Sequence, residues 1–264
     1  MNHADTINPP HAIPEYIEPG WVDTPTSKNV WMALMYAQTT PTIAMVHGGA
    51  GLGKTLTAKM YLAEKATSKQ LGSLPSTKPT VYMVTAHSGM STVTSALCAI
   101  NEAMGYPGDA YRNDVMTRQI LARLNPGDLL IVDEAQDLDV KALNQIRHFH
   151  DVGSIGIAYL GNDEIQTRID GRGRQAAFLG PLSSRVGIRL PIPRPTEEDV
   201  AAILGAWNVH GKKELEFSIS IGLSRIGLRG LTQVLRQAAT MSKEMNRVLD
   251  SRVMRTAAAN LGFN

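Results

Sequence analysis

Residues 48–55, Gly48-Gly49-Ala50-Gly51-Leu52-Gly53-Lys54-Thr55, decide how the rest of the chain is read. A phosphate cradle needs backbone N–H groups that converge on oxygen atoms without side-chain clash, at the start of a helix whose dipole favours anions. Gly48, Gly49, Gly51 and Gly53 meet the first need. Sequence context meets the second: the apolar run 42–47 has strand length and strand-forming residues, and 54–67 has helical periodicity. Lys54 is placed to reach the β and γ phosphates as a point charge, and the Thr55 hydroxyl to bind magnesium. The stretch therefore predicts a site for ATP with Mg2+. The expected nucleotide-contacting residues are Gly48, Gly49, Ala50, Gly51, Leu52, Gly53, Lys54, Thr55 and Leu56.

Working outward, Leu129 to Glu134 reads LLIVDE, an apolar strand that ends in two carboxylates. Asp133 can hold magnesium through water, and Glu134 can polarise the attacking water. The bland alternative is a helix start that needs negative charge, but beside an intact phosphate loop hydrolysis is the better reading. The next strand ends in Gly161-Asn162, where a polar side chain at the carboxyl edge of a parallel sheet faces the γ-phosphate or the water; a plain turn asparagine is the alternative. Downstream, Arg172, Arg174 and Arg185 crowd one stretch. A guanidinium that reaches a neighbouring subunit's γ-phosphate would complete the site between protomers. Arg185 is the first choice, with the other two kept as candidates.

Strand-like runs at 42–47, 81–86, 129–133, 156–161 and 187–191 alternate with helical segments at 92–104, 115–124 and 140–149, a pattern that predicts an α/β fold with a parallel sheet covered by helices. A helix capped by Thr26 or Ser27 precedes them and stops at Pro41. Four prolines in the first 20 residues read as an extended arm. After Pro191 the run PIPRPTEEDV breaks the chain, Thr196 with Asp199 forms a capping box, and only helical segments follow. The expected division is an arm at 1–20, a nucleotide-binding domain at 21–194 and a small helical domain at 195–264.

No apolar run reaches the roughly 20 residues that span a bilayer, and the N-terminus lacks a signal-peptide layout, so a cytoplasmic protein without membrane contact is expected. The single cysteine, Cys98, excludes an internal disulfide. Residues 1–140 carry 9 Lys/Arg against 13 Asp/Glu, and residues 141–264 carry 17 against 11, so net charges of −4 and +6 divide the chain. The basic half permits a polyanionic partner without requiring one.

Taken together, GGAGLGKT, LLIVDEAQDL, YLGND and LSSRVGIRL resemble, in order and spacing, the phosphate loop, magnesium strand, sensor asparagine and arginine-finger strand of AAA+ ATPases. Within that superfamily the chain is similar to the family of the phage target-DNA activators B and TnsC-like transposition regulators. WVDTPTSKNVWMALMYA, DEAQDL, SSRVGIR, DVAAILGAWNVHGKKELE and GLRGLTQVLRQAATM carry that similarity, from about Trp21 to Thr240. The resemblance implies a protein that assembles with ATP into a helical homo-oligomeric filament on duplex DNA and recruits a DDE-type transposase, with hydrolysis releasing it. It also implies Asn162 as γ-phosphate sensor, Arg185 acting in trans, Arg229 as helical-domain sensor, and DNA contacts in loops 87–91 and 106–113, with Ser88, Met90, Tyr111, Arg112 and Asn113 as candidates. A DNA-independent motor or adaptor of the secretion type, and a helicase loader, are the competing expectations.

Overall fold

The computed structural model describes residues 16–70, 79–106, 112–170 and 174–263. Two compact units result, one spanning Asp23–Asp199 and the other joining residues 16–22 with those from Val200 onward.

The larger unit is a five-stranded parallel sheet in the order β2-β3-β4-β1-β5, with β1 Ile43–Gly48, β2 Val81–Thr85, β3 Leu129–Asp133, β4 Gly156–Gly161 and β5 Val186–Ile192. Side chains alternate across a strand with a period of two, so each central strand feeds two cores. Met45, Leu130, Val132, Ile157 and Tyr159 face one core, and Ala44, Val46, Leu129, Ile131, Ala158 and Leu160 face the other. Helices α3 Val93–Ala103, α4 Asn113–Arg123, α5 Val140–Gly153, α6 Asp163–Ile169 and α7 Arg174–Ser183 cover the first face, whereas α1 Pro25–Thr39 and α2 Lys54–Gln70 cover the second. Burial on both faces explains why these strands are continuous apolar runs rather than alternating ones. Each fully buried Leu, Ile or Val contributes roughly 1.5–3 kcal/mol. At the sheet edge, β5 tolerates Pro191, which has no N–H to give to a further strand.

The first helix begins earlier than the sequence suggests. Thr24 is its N-cap and Pro25 its first residue, while Ser27 closes a capping box: Ser27 N donates to Thr24 Oγ1 at 3.1 Å, and Thr24 N to Ser27 Oγ at 2.8 Å. Pro at the first helical position loses only an N–H that is orphaned anyway. The expected box at Thr196 is present, with Thr196 N donating to Asp199 Oδ2 at 2.9 Å and Asp199 N to Thr196 Oγ1 at 3.1 Å, at the start of α8 Glu197–Ala206. Asp199 does more than cap. Its carboxylate also accepts from Thr26 N at 2.9 Å and Thr26 Oγ1 at 2.7 Å, so that Asp199, the last residue of the larger unit, is held to the first turn of α1. Burial pushes the Asp199 carboxyl up, but these bonds to Thr26, Thr196 and Thr24 outweigh it and hold the group below the ordinary carboxylate range.

Asp199→Ala is expected to cost about 3 kcal/mol, because buried donors lose a charged acceptor. With its folded pKa depressed, the stabilisation from Asp199 is complete above its unfolded value of about 3.9 and is lost as pH falls through the folded one. Denaturant midpoints of wild type and variant should therefore converge as acid is added.

The smaller unit contains α9 Lys212–Gly222, α10 Gly227–Met245 and α11 Ser251–Asn260, with most of α8. Leu228, Leu231, Val234, Leu235, Ala238 and Met241 line one stripe of α10 and pack with Trp207, Phe217 and Met254. Trp207 is thus a core residue. Residues 16–22 belong to this unit: Leu249 N donates to the Tyr16 hydroxyl at 3.0 Å, and Arg236 Nε donates to Glu18 at 2.8 Å. No helix among the described residues is long and apolar enough to cross a membrane.

Candidate nucleotide site

Strand pairing brings the key positions together. His47 on β1 lies opposite Gly161 on β4, and Thr85 on β2 opposite Asp133 on β3, so the loops after β1, β3 and β4 open at one edge of the sheet. The phosphate loop leaves β1 at Gly48 with φ +146°, and a Cβ there would lie 1.9 Å from the Ile192 carbonyl oxygen of β5. Gly51 and Gly53 also have positive φ, at 75° and 84°. Only glycine adopts such values cheaply while leaving the backbone N–H groups uncovered. Gly48→Ala is accordingly expected to destabilise the unit by more than about 2 kcal/mol, from combined strain and a backbone collision, read as a lowered denaturation midpoint.

Helix α2 starts at Lys54 with no acidic residue in its first turn, so its N-terminal dipole stays available to an anion. Lys54 Nζ donates to the carbonyls of Gly48 at 2.8 Å and Gly49 at 2.7 Å, folding the side chain over the loop. Burial lowers the Lys54 pKa, while the nearby carboxylates of Glu134, Asp133 and Asp163 oppose that shift. Leu52 is buried and anchors the loop, Gly49 and Ala50 are exposed, and Leu56 is exposed on the first helical turn.

Asp133 ends β3 with 2% of its surface exposed, and its Oδ2 has no hydrogen-bond partner among the described residues. Burial raises its pKa, against a hydrogen bond from Thr55. A buried carboxylate with an unused oxygen, bonded to a hydroxyl, is the hard-oxygen donor set that magnesium takes while keeping several waters. The residues present therefore fit such an ion, which Thr55 and Asp133 would hold.

Glu134 follows in the left-handed region, φ 53° and ψ 38°, with its side chain exposed. A non-glycine residue there stores about 1 kcal/mol of strain, and such outliers concentrate at working sites. Gln136 Nε2 donates to Glu134 Oε2 at 2.7 Å. Asn162 caps α6, its Oδ1 accepting from Glu164 N at 2.9 Å, which leaves its amide nitrogen as the group that can donate to a phosphate. It is thus both the turn asparagine and a residue at the sheet's carboxyl edge.

The arginines stand apart from this cluster. Arg185 precedes β5 with a side chain 38% exposed; it forms an ion pair with Asp151, which Arg147 shares, and donates to the Pro181 carbonyl at 2.8 Å. Arg174 is the first residue of α7, and Arg172 lies outside the described residues. Arg229 is exposed in the first turn of α10, in the helical unit. Of the candidate DNA-facing residues, Ser88, Arg112 and Asn113 are exposed, and Tyr111 lies outside the described residues. Met90 departs from expectation: it is buried in the main core, so its side chain offers nothing to a duplex. Arg112 donates to both Asp114 oxygens at 3.1 Å, so its guanidinium would have to be shared between that carboxylate and a phosphate.

Sequence reasoning missed Gln136 and Asp163. His47 is buried, and its Nδ1 lies 2.8 Å from Asp163 Oδ1, fastening the phosphate-loop strand to the start of α6. The signal for Gln136 was its place two residues after Glu134 in DEAQ.

A parallel sheet with β1 inside it, a glycine loop at the β1–α2 junction, and Lys54, Thr55 and Asp133 gathered at the strand ends defines an AAA+ P-loop nucleoside triphosphatase core with a helical domain behind it in sequence. The family described as AAA domain matches residues 37–169, and that described as Mu B transposition protein, C terminal, matches residues 184–261. The chain is 31% identical over 231 residues to the ATP-dependent target DNA activator B of Escherichia phage Mu, covering 87% of this chain and 70% of that one. It is 30% identical to the Mu-like prophage FluMu DNA transposition protein B of Haemophilus influenzae, covering 83% and 73%. Among solved structures, the ORC2 protein of Aeropyrum pernix in its ADP form superposes with a TM-score of 0.61 at 18% identity, covering 95% of this chain and 71% of that one. The chain belongs to the family of the ATP-dependent target DNA activator B proteins.

Proposed function

We propose that this protein is an ATP-dependent regulator of DNA transposition, which assembles on duplex DNA as a filament, marks the target and recruits a DDE-type transposase. The observation that carries the reading is the complete Lys54–Thr55–Asp133–Glu134 cluster in a chain that matches activator B along 87% of its length. The relatives are named for ATP dependence and for target DNA; the filament, the transposase and release by hydrolysis are this proposal's own extension.

In the proposed mechanism, residues 48–56 hold the triphosphate through backbone N–H groups, and Lys54 exchanges its two loop carbonyls for phosphate oxygens. Thr55 and Asp133 would hold magnesium, which when bound would supply positive charge to offset that of the triphosphate. Glu134 orients and polarises the attacking water, and the Asn162 amide nitrogen donates to the γ-phosphate. Arg185, released from Asp151, supplies its charge to a neighbouring subunit, and Arg229 senses nucleotide from the helical domain, so hydrolysis depends on assembly. Ser88, Arg112 and Asn113 face the duplex. Few cations lie on that path, but repetition along a filament multiplies weak contacts. Functionally, residues 21–194 are proposed as the nucleotide domain and 195–264 as the helical domain; the compact units divide at nearly the same places, at Asp23 and Asp199, and the proposed arm at 1–20 lies outside the described residues up to residue 15. The protein is proposed to act in the cytoplasm.

The test is DNA binding with filament imaging of the purified protein, with a nonhydrolysable ATP analogue, with ADP and without nucleotide. Regular filaments confined to analogue plus DNA support the proposal. Closed rings or monomers indifferent to DNA would overturn it in favour of a motor or adaptor, and coprecipitation with a replicative helicase instead of a transposase would favour a loader.

A further inference from the structure

We infer that Gln136 is a positioning residue for hydrolysis, whose amide ties the Glu134 carboxylate to the β4–α6 junction that carries Asn162. The inference rests on the reading of this protein as an ATPase.

Gln136 lies in the short 3-10 turn Ala135–Asp137 that follows β3, and its amide is used at both ends. Nε2 donates to Glu134 Oε2 at 2.7 Å, and Oε1 accepts from the Asn162 backbone N–H at 3.2 Å. An exposed glutamate on a strained left-handed residue has several rotamers open to it, and only one points its carboxylate at a given water. The bond from Gln136 selects among them. Because the other end of the same amide is bound to Asn162, the carboxylate is referenced to the strand end that faces the γ-phosphate rather than to its own flexible stem.

Two further observations show that room is made for this amide. A Cβ on Gly161 would lie 2.4 Å from Gln136 Oε1, so the residue before Asn162 can carry no side chain while the bridge stands. Gly161 has no positive φ, so glycine is not required there for backbone reasons. The bridge also needs one donor and one acceptor on a single planar group: glutamate at 136 could not donate to Glu134, and leucine could do neither.

The experiment is ATP turnover on DNA by Gln136→Leu and Gly161→Ala, beside wild type and Glu134→Gln, with analogue affinity and thermal denaturation measured in parallel. Both variants are expected to lose about 10- to 100-fold in kcat, the range typical when a supporting hydrogen bond to a functional group is removed. KM for ATP and analogue affinity should stay within about two-fold, since no phosphate contact is touched. In the Glu134→Gln background the further loss should shrink below about three-fold, because residues that act as a unit are not additive. An unchanged kcat in Gln136→Leu overturns the inference. So does a kcat loss that is fully additive with Glu134→Gln, or one accompanied by equal losses of affinity and stability, which mark a merely structural role. A wild type without turnover would instead remove the ATPase reading itself.

Discussion

Lys54→Ala should lose about 100- to 1,000-fold in affinity for ATP and fail to assemble on DNA in any nucleotide. Two causes act in the same direction. Lys54 would give the triphosphate charge-assisted hydrogen bonds worth about 1.5–3 kcal/mol each, and losing one alone costs about 10- to 100-fold. The lysine is also the positive charge among Asp133, Glu134 and Asp163, the three carboxylates that act on its pKa. Without it they stand unopposed beside an incoming polyanion, and in a partly desolvated site that repulsion is weakly screened. Fold stability should change much less than affinity. The ammonium bears a desolvation cost that alanine removes, which offsets the lost bonds to Gly48 and Gly49. Titration with a fluorescent analogue, thermal denaturation and filament imaging separate these effects. Normal filaments from the variant would sink the proposal that nucleotide controls assembly, and unfolding would show the lysine to be structural.

The division between what could be read from the sequence and what could not follows the distance over which each interaction is closed. The phosphate loop, the Asp133–Glu134 strand end and the Thr196–Asp199 box are local: their partners lie within a few residues, and strand-then-helix periodicity supplies the context. The central strands β1, β3 and β4 are short apolar runs because they are buried on both faces, and the edge strands β2 and β5 keep enough β-branched and aliphatic residues to be read as well, so all five were visible, with ends displaced by a residue or so. The contacts that turn those motifs into a site are long-range. His47 meets Asp163 across 116 residues and Gln136 meets the Asn162 N–H across 26, and only the strand order β2-β3-β4-β1-β5 brings them together. Neither pairing has a periodicity to betray it. Met90 was misjudged for a related reason: a loop after a strand reads as surface, but its 3-10 turn folds the side chain back into the core. Arg185 was legible as a cation but not as one held by Asp151 on α5.

The second large effect is expected from Glu134→Gln, which should cut turnover by about 100- to 10,000-fold, the range of a lost general base, while leaving nucleotide affinity near wild type. The substitution is conservative in every respect except charge. Glutamine can occupy the same left-handed backbone, and its carbonyl oxygen can still accept from Gln136 Nε2, so the bridge to Asn162 survives. Lys54, Thr55 and Asp133 keep their geometry, and one negative charge fewer near the phosphates favours ATP binding slightly. Chemistry is thereby separated from assembly. If hydrolysis is what releases subunits, the variant should form filaments with ATP itself as wild type does with the nonhydrolysable analogue, and these should dissociate at least about ten-fold more slowly, in keeping with a barrier raised by 1.4 kcal/mol or more. Following filament loss after dilution, alongside phosphate release, decides the matter. Filaments that decay at the wild-type rate despite absent turnover would show that disassembly is driven by something other than hydrolysis, and turnover within a few-fold of wild type would move the water-activating role away from Glu134.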